Sequence, residues 1–155
     1  MRPTEARHEM ERQLVFELPN DIRRIEDTVE FVVSRCMVCR EVAHKLHLNF
    51  RVSLTEALSN AMIYGNRRDP AKRVRVEVYV RASSVTAQVS DEGPGFDPDE
   101  VPDPTVVGNR SRSHGRGLFL MRELMDEVRF NDSGNSVTLV LHLPETDAAS
   151  DRAPA

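Results

Sequence analysis

Val74, Val76, Val78 and Val80 alternate with Arg75, Glu77, Tyr79 and Arg81, a period of two that predicts a strand with one buried face. Val85, Ala87 and Val89 carry the same alternation beyond a short connection at residues 82–84, which predicts an antiparallel pair. A half-buried sheet needs a second layer over its apolar face. That layer is written in the other period. Ile22, Ile25, Val29, Val32, Cys36, Cys39, Ala43 and Leu46 recur at three- and four-residue steps, predicting the apolar face of a long helix with Asn20 or Asp21 as its N-cap. Arg23, Arg24, Glu26, Asp27, Glu30 and Arg40 read as its solvated side. Leu54, Leu58 and Ala61 predict a second helix over residues 51–64, ended by Gly65-Asn66. Leu118, Met121, Leu124 and Met125 predict a third from about Gly115 to Asp126. Residues 12–18 (RQLVFEL), VRFN and SVTLVLHL read as strands, the last two joined through Asp132-Ser133-Gly134-Asn135. The order β, α, α, β, β, loop, α, β, β predicts an α+β two-layer sandwich, with helices on one face of a mixed, mainly antiparallel sheet.

A chain of 155 residues fits one domain and can bury roughly 70% of its unfolded surface without a disulfide or structural metal. Residues 1–11 read as a flexible N-terminus, 12–143 as the domain and 144–155 as a flexible tail. Within the domain, residues 97–114 show no periodicity and contain three prolines, the pattern of a functional lid or a disordered insert, and are taken as a lid. The formal charge of −4 argues against generic nucleic-acid binding. No run of about 18 apolar residues suits a membrane span, and MRPTEARHEMERQ lacks a signal peptide's apolar stretch, so a cytoplasmic location is expected.

Cys36, Cys39, His44 and His47 fall within twelve positions and raise the question of zinc. An unbroken helix would spread them over roughly 16 Å, too far for one tetrahedral ion. Helix packing is therefore expected for the cysteines, and a surface position at the helix end for the histidines.

Three segments carry chemistry. In EALSNAMIYGN, Glu56 and Asn60 lie one helical turn apart on one face, a carboxylate able to take a proton beside an amide oxygen able to bind magnesium. In SDEGPGF, Asp91 closes a strand as an acceptor for an exocyclic amine, and Gly93 and Gly95 permit a tight turn near a flat ligand. In SRSHGRGL, the start of a helix offers free N–H groups to phosphate, with Gly115 and Gly117 for close approach and Arg110, Arg112 and Arg116 for charge. Taken singly, these segments also read as an exposed polar pair, a capped glycine turn and a solvated loop. The chain has no Walker A motif.

In order, Glu-x-x-x-Asn-Ala, Asp-x-Gly-x-Gly-Phe and Gly-x-Gly-Leu resemble the N, G1 and G2 boxes of the GHKL ATPases, the superfamily of gyrase and the histidine kinases. The resemblance covers roughly residues 12–143 and is strongest to the bacterial anti-sigma-factor serine/threonine kinases, through TEALSNAMIYGN. It implies the Bergerat ATP-binding fold, with ATP and Mg2+ as cofactors. It implies Glu56 as general base, Asn60 on magnesium, Asp91 with Thr138 reading adenine, and Gly95 beside the base. Gly115 and Gly117, with Arg116 and Leu118, would lie at the phosphates. A lid arginine should reach the terminal phosphate; Ser113 and His114 precede Gly115 here, leaving Arg112 as the choice in an uncertain register.

The same resemblance implies phosphorylation of an anti-anti-sigma (STAS-domain) protein, sequestration of a sigma factor, and a homodimer, without direct nucleic-acid or membrane partners. Two alternatives stay open at this stage. One is a nucleotide-gated binding module without transfer. The other is a histidine-kinase-type ATPase domain, disfavoured because no helix with a phosphorylatable histidine precedes the domain and because Glu56 stands where those kinases often carry Asn.

Overall fold

The computed structural model describes residues 11–36, 44–100 and 113–143. Its sheet has five strands: β1 (Arg12–Pro19), β2 (Arg73–Val80), β3 (Ser84–Ser90), β4 (Glu127–Phe130) and β5 (Ser136–His142), in the order β1-β2-β3-β5-β4. All four pairings are antiparallel, so the described sheet has no parallel member. Register aligns the apolar parity of every strand. Leu14, Val78, Ala87, Leu139 and Val128 form one row across the sheet, and Phe16, Val76, Val89, Val137 and Phe130 form the next. Both rows join the buried core. The intervening row, Val15, Glu77, Gln88, Thr138 and Arg129, has the opposite parity and lies on the outer face.

Three helices cover the inner face. Helix α1 (Ile25–Cys36) is preceded by a 3-10 turn (Ile22–Arg24), where the Asp21 side chain accepts from Arg23 N at 3.0 Å. Ile25, Val29, Val32, Val33 and Cys36 are buried. Ile22, expected on this face, is instead 49% exposed. The 3-10 turn has three residues per turn rather than 3.6, so Ile22 falls out of phase with the α-helical stripe. Cys39 and Ala43 lie outside the described residues. Burial pushes the Cys36 thiol up to about 12, and His44 and His47 are exposed.

Helix α2 (Arg51–Asn60) is flanked by wider π turns at Leu46–Phe50 and Ala61–Gly65. It packs against both α1 and helix α3 (Ser113–Leu124). Phe50, Leu54, Leu58 and Met62 sink into the core, while Arg51 pairs with Glu30 of α1. Asn49 Nδ2 donates to Leu124 O at 2.9 Å and ties the start of this segment to the end of α3. Among the described residues, no helix is long and apolar enough to cross a membrane.

Leu54→Ala and Phe50→Ala, both at fully buried positions, should each lower the free energy of unfolding by about 2–5 kcal/mol. Ile22→Ser, at the exposed turn, should stay within about 0.5 kcal/mol of wild type. Urea denaturation followed by circular dichroism measures all three.

Candidate functional site

Glu56 and Asn60 project from α2 toward the first turns of α3. The contact depends on Gly117. A Cβ there would stand 2.5 Å from Glu56 Oε2 and 3.7 Å from Asn60 Nδ2. Glycine inside a helix costs roughly 1 kcal/mol relative to alanine. Here it allows the first turns of α3 to approach the carboxylate–amide pair. Gly115 is also buried, whereas Arg116 is exposed. Leu118 is 3% exposed and belongs to the core, so its side chain is packing.

Asp91 follows β3. Its backbone N–H donates to Asn135 O at 2.9 Å, and its Oδ1 accepts from Gly93 N at 2.8 Å. That is an aspartate turn closed on its own loop. The carboxylate lies against Gly65, where a Cβ would fall 2.2 Å from Oδ2. Gly93 in turn lies over the Gly65 carbonyl. Gly95 has φ 83° and fits beside the Ser133 carbonyl of the β4–β5 turn.

Asn60, Asp91, Phe96, Phe130, Asn135 and Val137 are among the residues that line one cavity between α2, α3 and the sheet. Phe96 and Phe130 meet edge to face at 5.2 Å between ring centres and wall one side. The cavity holds about 20 Å³, room for one water. Its acceptors, the Asp91 carboxylate first among them, suit a planar amine-bearing base. A larger open cleft, about 430 Å³, lies beside Arg24, Met62 and Arg68 and includes neither Glu56, Asn60 nor Asp91.

Burial raises both carboxylates above their ordinary range. For Glu56 the desolvation is opposed by the charge of Arg116. For Asp91 it is opposed by the Gly93 N–H and then by the charge of Lys72. A half-buried carboxylate near a cavity, with no ion-pair partner among the described residues, is costly to the fold, and such perturbed groups cluster at functional sites.

The structure therefore brings together Glu56, Asn60 and Gly117, and, across the cavity from Asn60, Asp91 with Gly93 and Gly95 following. It does not bring Thr138 to them. Thr138 pairs with Gln88 and Arg129 on the outer face, and Val137 takes the inward position instead. The alternation Val137, Leu139, Leu141 in the sequence carried this signal: Thr138 has the opposite parity. Arg110 and Arg112 lie outside the described residues, as does most of the expected lid at 97–114. Three residues gave no chemical signal in the sequence. Gly65 and Asn66 read only as a helix end, and Asn135 only as a turn residue. Yet Gly65 seats Asp91, Asn66 accepts from Glu92 N at 2.8 Å, and Asn135 Nδ2 donates to Gly93 O at 3.3 Å.

The pH dependence follows from the raised carboxylates. A group whose folded pKa lies above its unfolded value imposes no penalty below the unfolded value, roughly pH 4. The penalty grows as pH rises through the folded pKa and is complete above it. Glu56→Gln and Asp91→Asn should therefore each stabilise the ligand-free protein at pH 7. The gain should shrink toward zero near pH 3–4, as measured by denaturation across pH.

The profile of the histidine kinase-like ATPase domain family matches residues 18–141. The anti-sigma F factor of Anoxybacillus flavithermus is 32% identical over 101 residues, covering 61% of this chain and 68% of that protein. The serine-protein kinase RsbW of Bacillus subtilis is 32% identical over 102 residues, covering 61% of this chain and 64% of that kinase, just under two thirds of its length. The anti-sigma F factor of Bacillus cytotoxicus is 34% identical over 101 residues, with 61% and 68% covered.

Proposed function

This chain belongs to the histidine kinase-like ATPase domain family, and from that premise we propose that it is an ATP-dependent protein serine/threonine kinase acting as a cytoplasmic anti-sigma factor. The observation that carries the proposal is the approach of Gly117 to Glu56 and Asn60, beside the cavity that Asn60 and Asp91 both line. A nucleotide with its base at Asp91 and its phosphates at the start of α3 runs past both α2 side chains.

In this reading each residue has one task. Asp91 accepts from the exocyclic amine of adenine, with Oδ1 held by Gly93 N–H. Gly93 and Gly95 keep the turn close to the base. The N–H groups in the first turns of α3, around Gly115 and Gly117, donate to phosphate, and Arg116 adds positive charge. Asn60 offers an amide oxygen to a magnesium ion, the usual hard ligand for it. Bound Mg-ATP supplies the phosphoryl group. Glu56 takes the proton of the attacking serine hydroxyl as its Oγ–phosphorus bond forms and ADP departs. Desolvation raises the basicity of Glu56 and moves it toward the range where a general base works best. Arg112 is retained as the candidate for the terminal phosphate.

The substrate proposed is an anti-anti-sigma STAS-domain protein, and the second partner a sigma factor held while that substrate is phosphorylated; the protein would act as a homodimer. The names of the relatives, an anti-sigma factor and a serine-protein kinase, support these assignments.

Incubation with radiolabelled ATP and a STAS-domain protein encoded near this chain should place phosphate on a serine or threonine. Glu56→Gln should keep Mg-ATP affinity within about two-fold and lose transfer by about 10²-fold or more. Transfer by Glu56→Gln at the wild-type rate removes Glu56 as base. ATP binding without transfer by the wild-type protein would instead favour a nucleotide-gated binding module.

A further inference from the structure

Asn66 lies just beyond the π turn that ends the α2 segment, and none of its surface is exposed. Its amide is fully engaged. Oδ1 accepts from Glu92 N at 2.8 Å, while Nδ2 donates to Arg73 O at 3.0 Å and to Asn20 Oδ1 at 3.2 Å. Asn20 Nδ2 donates onward to Met62 O at 3.2 Å and Asp69 O at 3.0 Å. Asn66 N also donates to Ala61 O at 2.7 Å. Two amides thus join four segments: the end of β1, the end of the α2 segment, the start of β2, and the turn that carries Asp91.

The turn needs such an anchor. Residues 91–95 read Asp-Glu-Gly-Pro-Gly, and the two glycines give it little rigidity of its own. On the hairpin side it is held by Asp91 N to Asn135 O and by Asn135 Nδ2 to Gly93 O. On the helix side, Asn66 holds it through the Glu92 N–H. Glu92 is the immediate neighbour of Asp91, so a shift of that N–H moves the carboxylate directly.

We propose that Asn66 is a positioning residue for base recognition: through Glu92 it sets the offset between the Asp91 carboxylate and the helix that carries Glu56 and Asn60. Adenine selectivity then depends on a buried amide outside the cavity lining. This rests on the ATP reading above. The same link makes the base and phosphate ends of the site one unit, because Asn66 sits on the chain continuation of α2 itself.

The test compares affinity for ATP with that for inosine triphosphate, which carries the same phosphates but an oxygen in place of the exocyclic amine. Titration calorimetry on the full chain gives both constants. In Asn66→Ala the preference for ATP should fall about ten-fold, with inosine triphosphate affinity changed less than about two-fold. A folded Asn66→Ala that keeps the wild-type preference overturns the inference. So does an equal loss for both nucleotides, the mark of general structural damage. Should Asn66→Ala not fold, Asn66→Ser leaves a hydroxyl too short to span from the Arg73 carbonyl to the Glu92 N–H. The same selective loss is expected there, and the same two results overturn the inference. Wild-type protein without a preference for ATP removes the ATP reading and this inference together; a wild type with the preference and a variant that retains it removes the inference alone.

Discussion

The partial withdrawal of Asp91 and Glu56 from water is the constraint on which the rest of the arrangement depends. Both carboxylates are raised by burial, and neither has an ion-pair partner among the described residues. A group in that condition opposes folding. It persists because the surrounding packing is strong. Phe50, Leu54, Leu58 and Met62 anchor the helix that bears Glu56, and two apolar rows of the sheet support the strand that leads to Asp91. Core packing thereby offsets the cost of holding both carboxylates partly out of water.

Close approach is the means by which these elements share one site. Gly117 lets α3 reach the carboxylate–amide pair on α2, and Gly65 lets Asp91 sit against the end of the same helical segment. The first contact lies at the middle of α2 and the second at the end of the π turn that follows it. Adding a methyl group at either would force backbone or carboxylate to move. Around Asp91, two side-chain amides complete the turn from two sides, the buried Asn66 toward the helices and the half-buried Asn135 toward the β4–β5 hairpin. A satisfied polar network of this kind holds a unique geometry more firmly than apolar packing alone.

The antiparallel sheet determines which strand residues can take part. In each strand, one parity faces the helices and the cavity and the other faces outward. Val137 therefore meets the cavity while Thr138 meets Gln88 and Arg129 on the far side. Phe96 and Phe130 wall part of the cavity, which sets the loop after Asp91 against it. That loop leads directly to residues 98–100 and on toward the expected lid.

Local spacing in the sequence determined a good deal. A period of two marked the β2–β3 pair, periods of three and four marked the helices, and the i, i+4 placement of Glu56 and Asn60 put them on one helical face. These are consequences of backbone geometry and need no distant contact. The order of three short motifs then suggested that the faces belong to a nucleotide site. Tertiary structure alone decided how segments far apart in the chain meet. Nothing near Gly65 announces that Asp91, 26 positions on, will occupy the space its missing side chain leaves. Asn66 after a glycine reads as a helix cap, yet it is buried because β1, β2 and the Asp91 turn all converge on it. Ile22 fell out of the helical stripe because a 3-10 turn rephased the chain. Periodicity reports which residues share a face; which faces meet, and which side chain fills the gap between them, depends on packing among elements that local sequence does not encode.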